Sequence, residues 1–466
     1  MGLLLLLGLT LLAGVTIDFA FDLIWNDQQR IEQIFLLGVT AVAAATIWRN
    51  TLSMMLISLP LLSRWMLGFG FTLGGISVAL STYPHFASLE WASLILLLIL
   101  ALLLGGQARL ENVRFDRWAI RLVMALGVII VLKIMAGYVA AVAEHLQIDS
   151  VTMFAGTFSN QRVFGQIASM AIPVLSFPLL SRKLPQVQRW GLLTLIALWW
   201  MLAILSGTRG TFLALFTSAG VLALAAGRPS YHLLKIQALT LSVGIVLFGI
   251  LFWYIPHLLG LGTVLQNRLH DLTSLSGRQV LWSMAWHQIQ SHPWLGIGPM
   301  HFATLRNIYG AHPHNAILQL AVEWGIPATL AFVIAATTGF LSLLSELRQP
   351  KTKPDPLLLC LAASLLATST QAMVDGIIVI PYTQTWLVFI VGWTLGVYYR
   401  DTHDRIPSEP RTMRLFVPAL TLFALFFLLQ GVFPEILNRA ETNQAFIQKG
   451  GLLIPRYWSL GWIPQP

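Results

Sequence analysis

The sequence has few charged residues and almost no cysteine. Only 10% of its 466 residues are charged, whereas 56% are hydrophobic, and the mean hydropathy is +0.74. A soluble domain does not need so much apolar sequence, so the composition excludes a soluble protein and predicts an all-α polytopic integral membrane protein. The single cysteine, Cys360, lies within an apolar segment, which excludes a disulfide framework and a thiolate metal site.

The sequence also lacks a solenoid repeat, a low-complexity tract and a heptad run. Its formal net charge is +9, but the basic residues are spread over many short loops and do not form one basic face. This distribution favours orientation in a membrane over binding of nucleic acid. No basic stretch precedes the first apolar segment, so we expect that segment to be a first span and not a cleaved signal peptide.

About thirteen apolar segments, each of roughly 16–25 residues, are long enough to cross a bilayer. We therefore expect about 12–14 transmembrane helices. The candidate segments are 2–24, 31–48, 59–82, 86–105, 118–143, 163–181, 190–206, 211–226, 236–256, 315–343, 357–376, 384–399 and 413–432.

Loops rich in lysine and arginine alternate with loops poor in them, so the rich side is expected to be cytoplasmic. The longest segment between spans, 257–313, lies on the opposite, outer side, and its tryptophans at helix-like spacing predict amphipathic helices. The predicted organisation is N-terminal transmembrane helices at 1–256, this outer segment, C-terminal transmembrane helices at 314–432 and an outer tail at 433–466.

A histidine-asparagine pair on the outer side is the first candidate site. Pro313 suits the first turn of a helix, so His314 and Asn315 are expected to open one. The start of a helix favours an anion and a neutral imidazole, which suits a general base. Alternatively, His312 and His314 merely cap a transmembrane helix; no carboxylate or cysteine at ligand spacing supports a metal site. Asp375 is expected either to orient the histidine or to serve helix packing.

Three arginines on the outer side run against the positive-inside trend. Arg162, Arg209 and Arg278 each lie in a polar stretch that contains glycine. Guanidinium groups can hold phosphate oxygens bidentately and neutralise a diphosphate without a metal. The alternative is that these arginines are interfacial anchors or partners of the outer acids Glu144, Asp149 and Asp271.

The residues around the histidine resemble a known family. His314-Asn315, followed by nine residues and then Gly325, resembles the signature of the bacterial O-antigen ligase superfamily. That superfamily includes O-antigen ligases, some O-antigen polymerases and protein O-oligosaccharyltransferases. A small or Thr/Tyr-type residue is expected three positions after the glycine, and Ala328 stands there as a mild departure. The resemblance extends over roughly 118–400.

The order of the basic residues is similar to that of the ligases as well. Arg209 follows one span, Arg278 lies in the long outer segment, and His314 comes after both. Arg162, in a Phe-x-Asn-x-Arg stretch with Asn160, looks like a further arginine of the same site.

The resemblance implies a glycosyltransferase of GT-C-type architecture in the bacterial inner membrane, with its active site facing the periplasm. It would move a glycan from undecaprenyl diphosphate to an acceptor hydroxyl with inversion and without a metal or cofactor. His314 would be the catalytic base, and Arg209, Arg278 and Arg162 would bind the diphosphate. Supporting roles fall to Asn315, His312 and Asn160.

The acceptor is expected to be lipid A-core, as in lipopolysaccharide biosynthesis. The additional span after Arg400 and the tail at 433–466 resemble protein oligosaccharyltransferases more closely, so a pilin-like protein is the alternative acceptor. An O-antigen polymerase is a further alternative. A transporter of lipid-linked glycan, the last alternative, should show paired broken helices and internal pseudo-symmetry, and the sequence displays neither.

Overall fold

The computed structural model describes residues 1–17, 25–181, 184–261, 277–348, 355–400 and 411–437, with single positions between 441 and 463. Every regular element in these ranges is a helix, which confirms the all-α polytopic membrane class. Most of the predicted tail lies outside the described residues, and so does Asp271.

The helices before residue 182 are α1 Gly2–Thr16, α2 Trp25–Ala45, α3 Arg49–Ser58, α4 Leu61–Leu80, α5 Pro84–Glu111, α6 Val113–Ala143, α7 Ser150–Ala155, α8 Gln161–Leu175 and α9 Phe177–Ser181. The later helices are α10 Gln186–Ser206, α11 Arg209–Ala226, α12 Tyr231–Gly249, α13 Ile255–Leu258, α14 Arg278–Ser291, α15 Ala316–Arg348, α16 Pro356–Ala372, α17 Pro381–Tyr398 and α18 Arg411–Leu437. Short 3-10 turns lie at Arg228–Ser230 and His301–Thr304, and a π-helical turn at Ile250–Tyr254.

Fewer helices than expected have both the length and the hydropathy that a membrane span requires. Nine helices within the described ranges pass both conditions, or ten if α2 and α3, which meet at 91°, form one broken span. Within the described residues, each predicted apolar segment nevertheless falls mainly on helix. The difference arises because α1 and α16 have only 15 and 17 residues, and because α17 begins with a polar turn around Gln384.

Helix α5 lies at the centre of the bundle and packs closely against α17. In its most apolar stretch of 18 residues, 89% of the residues are buried inside the protein. A Cβ atom on Gly392 would lie 2.6 Å from the carbonyl oxygen of Ala101, and one on Gly396 would lie 2.4 Å from the Cβ of Ala108. Small residues therefore allow the two backbones to approach, as is common between membrane helices.

The bundle has two chemically different ends. At one end, here called the Arg400 end, Arg400 binds both carboxylate oxygens of Asp116 at 2.6 and 2.7 Å, and the Trp393 indole donates to the same carboxylate. At the opposite end, here called the His314 end, α8, α11 and α15 begin. Arg109, Arg114 and Arg117, which belong to one of the basic-rich loops, lie at the Arg400 end, so the positive-inside rule predicts that this end faces the cytoplasm.

Helix α15 is interrupted, whereas the sequence predicted one continuous span at 315–343. Gly325 has φ 80° and ψ 166°, which is not a helical conformation, and Pro327 follows it. A positive φ favours glycine, and a Cβ atom here would also lie 2.2 Å from the carbonyl oxygen of Trp294. The break therefore depends on Gly325 and on the loop that contains Trp294.

The loop 293–299 replaces hydrogen bonds that α15 loses at its break. Ile297 N–H donates to the carbonyl of Val322 at 2.8 Å, and Gly298 N–H donates to that of Glu323 at 3.0 Å. Ile326 N–H in turn donates to a loop carbonyl, at Pro293. Backbone groups left over by the interruption are thus paired, which a buried break requires.

Helix α14 lies in the long outer segment, of which residues 257–261 and 277–313 are described. It buries Leu281, Ala285 and Ile289 and exposes Trp286, so it has an apolar and an outward face. The indole of Trp282 donates a hydrogen bond to the carbonyl of Pro313 at 2.9 Å. Helix α14 is thereby attached to the loop that carries the candidate histidine.

Candidate active site

Four helices begin close together at the His314 end, and each brings one candidate residue. Arg162 lies in the first turn of α8, Arg209 is the first residue of α11, and Arg278 is the first residue of α14. His314 stands two residues before the start of α15. Residues far apart in the chain are therefore presented from helix starts at one end of the bundle.

The charges of these residues act on one another. The pKa of the Arg278 guanidinium is lowered, first by burial and then by the positive charge of Arg162, with a smaller contribution from Arg209. The negative charge of the Asp375 carboxylate acts in the opposite direction, but the pKa of Arg278 stays below its ordinary value. Three arginines and one buried acid thus share a site with an excess of positive charge.

An arginine in the first turn of a helix is electrostatically unfavourable. The helix dipole places partial positive charge there, so a cation in the first turn is destabilised, whereas an anion is stabilised. Arg162, Arg209 and Arg278 all have this arrangement. Helix starts and guanidinium groups together form a field suited to an anion with several oxygen atoms, such as a phosphate or diphosphate.

His314 is paired with Asp375, which lies in the loop between α16 and α17. Their Nδ1 and Oδ1 atoms are 3.8 Å apart, so the coupling in this structure is electrostatic and not a hydrogen bond. Burial alone raises the pKa of the Asp375 carboxyl, but His314, the N–H of Gly376 and the charge of Arg162 together lower it below its ordinary value. Asp375 is therefore a buried carboxylate beside the candidate base.

The start of α15 differs from the sequence prediction. His314 has a left-handed backbone with φ 52°, and the helix begins only at Ala316. The Asn315 side chain caps it by accepting from the N–H of Leu318 at 2.9 Å and donates to the carbonyl of Met373 at 2.9 Å. The sequence predicted that Pro313 lies in the first turn and that His314 and Asn315 open the helix. Asn315 does open it, as its cap, but Pro313 and His314 precede the helix, because the capping asparagine places them outside the first turn.

The side chain of His312 packs against His314 and against the loop after α16. Its ring centroid is 4.1 Å from that of His314, and its Nδ1 accepts from the backbone N–H of His314 at 3.3 Å. On its other side, a Cβ atom on Gly376 would lie 2.5 Å from the His312 ring. His312 therefore fills the space between His314 and the loop that carries Asp375.

The starts of α8 and α11 meet the end of α16. A Cβ atom on Gly165 would lie 2.5 Å from the Thr211 hydroxyl, and the Gln371 amide donates to that hydroxyl at 3.2 Å. Asn160 accepts from the N–H of Arg162 at 2.8 Å and so caps α8. Asn160 thereby fixes the backbone of Arg162 at the start of α8.

The sequence did not reveal a polar layer one turn deeper. Both amide atoms of Gln166 and the Oε1 of Gln371 are buried and have no hydrogen-bond partner within the described part of the chain. Gln166 follows Arg162 by four residues, and Gln371 precedes Asp375 by four. Glutamines inside apolar segments were the available signal, because buried amides in a membrane bundle usually have a role.

Part of the chain matches a known protein family. Residues 192–333 match the family described as O-antigen ligase, a range that includes Arg209, Arg278, His314 and Gly325. No curated protein matches the chain. The match at 192–333 confirms that this chain resembles the O-antigen ligase superfamily in the region that contains the histidine signature.

Proposed function

We propose that this protein is an inverting glycosyltransferase that moves a glycan from undecaprenyl diphosphate to an acceptor hydroxyl. The reaction would take place at the periplasmic face of the bacterial inner membrane. The observation that carries the proposal is the pairing of His314 with buried Asp375 beside arginines in the first turns of three helices. The O-antigen ligase match supports the same reaction class.

The arginines would bind the donor. A sugar on a polyprenyl diphosphate is already activated, so catalysis mainly requires stabilisation of charge on the leaving diphosphate. Arg209 and Arg278, with Arg162, would supply that charge in place of a metal ion. Their helix starts add partial positive charge that is fixed before the reaction begins.

His314 would act as the general base. Its Nδ1 faces Asp375, so Nε2 is the nitrogen left to accept the proton of the acceptor hydroxyl. As the proton moves to Nε2, the acceptor oxygen bonds to the anomeric carbon and the bond from that carbon to the diphosphate oxygen breaks. The products are the inverted glycoside and undecaprenyl diphosphate, and Asp375 would stabilise the imidazolium that forms.

Lipid A-core is the acceptor that we propose first. A pilin-like protein is the second candidate, because α18 and the segment after it extend the chain beyond the site in the manner of protein oligosaccharyltransferases. Both reactions use the same donor, arginines and base and differ only in the surface that receives the acceptor. Polymerisation of O-antigen would use a third acceptor, the growing glycan.

The decisive experiment is transfer by the purified protein in liposomes with undecaprenyl-diphosphate-linked glycan. Lipid A-core and pilin are supplied in separate reactions that contain EDTA. We expect product on lipid A-core, and we expect His314→Ala to lower the rate by about 10²–10⁴-fold. His292→Ala is the matched control, because His292 is an exposed histidine of the same outer segment.

Product on pilin alone would assign the protein to the oligosaccharyltransferase branch. Transfer to neither acceptor, or transfer that survives His314→Ala, contradicts the proposed mechanism. Loss of activity in EDTA that returns with a divalent cation contradicts metal independence.

A further inference from the structure

The first turns of α2 are polar and buried. Arg30 is 1% exposed, and Gln29 and Gln33 on the same helix are also buried. A guanidinium in the interior of a membrane bundle is costly unless its donors are satisfied. Its contacts therefore indicate what the polar turn does.

Arg30 binds the loop between α16 and α17. Its Nη2 donates to the carbonyl of Val379 at 3.2 Å, and its Nη1 donates to Oε1 of Gln384 at 3.2 Å. Nη1 also donates to Oε1 of Gln33. One planar guanidinium thus connects α2 to the loop and to the start of α17.

Gln33 and Gln384 extend these contacts to neighbouring carbonyls. Gln33 donates to the carbonyl of Pro381 at 3.0 Å and to Gln384 Oε1 at 3.1 Å. Gln384 donates to the carbonyl of Ile378 at 2.7 Å. Arg30, Gln33 and Gln384, here called the α2 clamp, therefore hold three carbonyls of the segment 378–381.

The other end of the same loop forms part of the candidate site. Met373 accepts from the side chain of Asn315, Asp375 faces His314, and Gly376 lies against the ring of His312. The loop is short, and the N–H of Val379 donates to the carbonyl of Gly376 at 3.0 Å. A shift at Val379 is therefore transmitted directly to Gly376 and to the carboxylate beside it.

We propose that Arg30 is a positioning residue, which fixes the place of Asp375 relative to His314 through the loop 373–380. This inference rests on the proposed function of His314 as a base. Arginine suits the task because its rigid fork can serve acceptors on two elements, the Val379 carbonyl and the Gln384 side chain, at once. Lysine can satisfy part of this set, whereas methionine keeps the length and satisfies none.

The test compares Arg30→Met and Arg30→Lys in the transfer assay with undecaprenyl-diphosphate-linked glycan. We expect Arg30→Met to lower kcat about tenfold, because small displacements of catalytic groups have effects of this size. The donor KM should stay within about twofold, since the hydrogen bonds of Arg30 described above join α2 to the loop 373–380 and to the start of α17, whereas the diphosphate arginines lie at the starts of α8, α11 and α14. Arg30→Lys should recover at least about a third of the wild-type kcat.

Arg400→Met is the matched control for a purely structural effect. It removes a largely buried arginine that donates to the Asp116 carboxylate and to the Ala108 carbonyl at the opposite end of the bundle. Thermal unfolding is measured for every variant. If the loss of kcat is proportional to the loss of unfolding temperature, and equally so in Arg30→Met and Arg400→Met, the positioning role is overturned.

A second variant keeps the inference testable if Arg30→Met does not fold. Gln33→Met, which leaves the charge of Arg30 in place, should still lower kcat about threefold.

A double variant tests whether Arg30 affects kcat through Asp375. Arg30 should have no further effect on kcat when Asp375 is already Asn, so the double variant should match Asp375→Asn alone. Independent, multiplicative losses would overturn the inference. If the wild-type protein transfers glycan but Arg30→Met has wild-type kcat, only this inference fails. Absence of transfer by the wild-type protein with either acceptor refutes the proposed function instead.

Discussion

The Nδ1 atom of His314 lies 3.8 Å from the Oδ1 atom of Asp375, across the gap between the start of α15 and the loop after α16. The imidazole and the carboxylate come from positions 61 residues apart, so only the packed bundle brings them together. The same loop contacts Asn315 and His312. The candidate base is thus held by its own segment and by one distant loop.

Replacement of Asp375 by Asn should separate charge from shape. Asp375→Asn keeps the size of the side chain but removes the carboxylate that would stabilise the imidazolium. We expect kcat to fall by about 10–10²-fold while the donor KM changes little, because the base remains present but loses its partner. Steady-state transfer kinetics check this, and an unchanged kcat would exclude Asp375 from the mechanism.

Acid pH should remove a part of the stability that Asp375 provides. The folded-state pKa of Asp375 is lower than its ordinary value of 3.8. Its ionised form therefore stabilises the folded protein fully above that ordinary value, and the contribution is lost as the pH falls through the folded-state pKa. Wild type should unfold at a higher temperature than Asp375→Asn at neutral pH. This difference should shrink below about pH 4, and a difference that does not depend on pH would contradict the assignment.

The arginines should not tolerate lysine. In Arg209→Lys the charge remains, but the planar fork that suits a diphosphate is lost. We expect kcat/KM for the donor to fall about 10²-fold in Arg209→Ala and by about tenfold in Arg209→Lys. Arg306→Ala, which changes an exposed arginine at the same end, should stay near the wild-type value. Equal losses in Arg209→Ala and Arg306→Ala would indicate a general effect of surface charge.

The break in α15 should depend strictly on glycine. Gly325→Ala forces a Cβ atom to within 2.2 Å of a backbone carbonyl at a residue with φ 80°. We expect a loss of at least about 2 kcal/mol in the free energy of unfolding, since both the conformation and the contact are unfavourable. Gly339→Ala in the second half of the same helix meets no neighbouring atom and should be neutral or slightly stabilising. Denaturation in detergent measures both variants, and similar stabilities would show that the break does not need glycine.

The sequence was sufficient for the class of fold because apolar segments of bilayer length occur throughout it. Where the structure describes them, the predicted segments fall mainly on helices, since the need to pair backbone groups in a membrane leaves few alternatives. The break at Gly325 escaped prediction because apolar residues continue on both sides of it. Hydropathy indicates where a chain is apolar and does not show where its helical hydrogen bonds stop.

The sequence pointed to a candidate site residue only where that residue lies in a recognisable local motif. The arginines could be selected from the sequence because they run against the positive-inside trend, and His314 because it follows Pro313 and belongs to the His-Asn signature. The role of Asp375 could not be decided, because it depends on the packing of α16 against α15. Arg30 was missed altogether, since its contact with Val379 spans 349 positions of the chain.

The interruption of α15 divides the helix into two segments that are held in different ways. The segment before Gly325 is attached by hydrogen bonds to the loop 293–299, whereas the segment after it runs toward the Arg400 end. A continuous helix tilts as one rod when bilayer thickness changes, but an interrupted ladder of hydrogen bonds allows the membrane half to tilt by itself. We therefore expect the geometry at His314 to depend less on bilayer thickness than it would on an uninterrupted span.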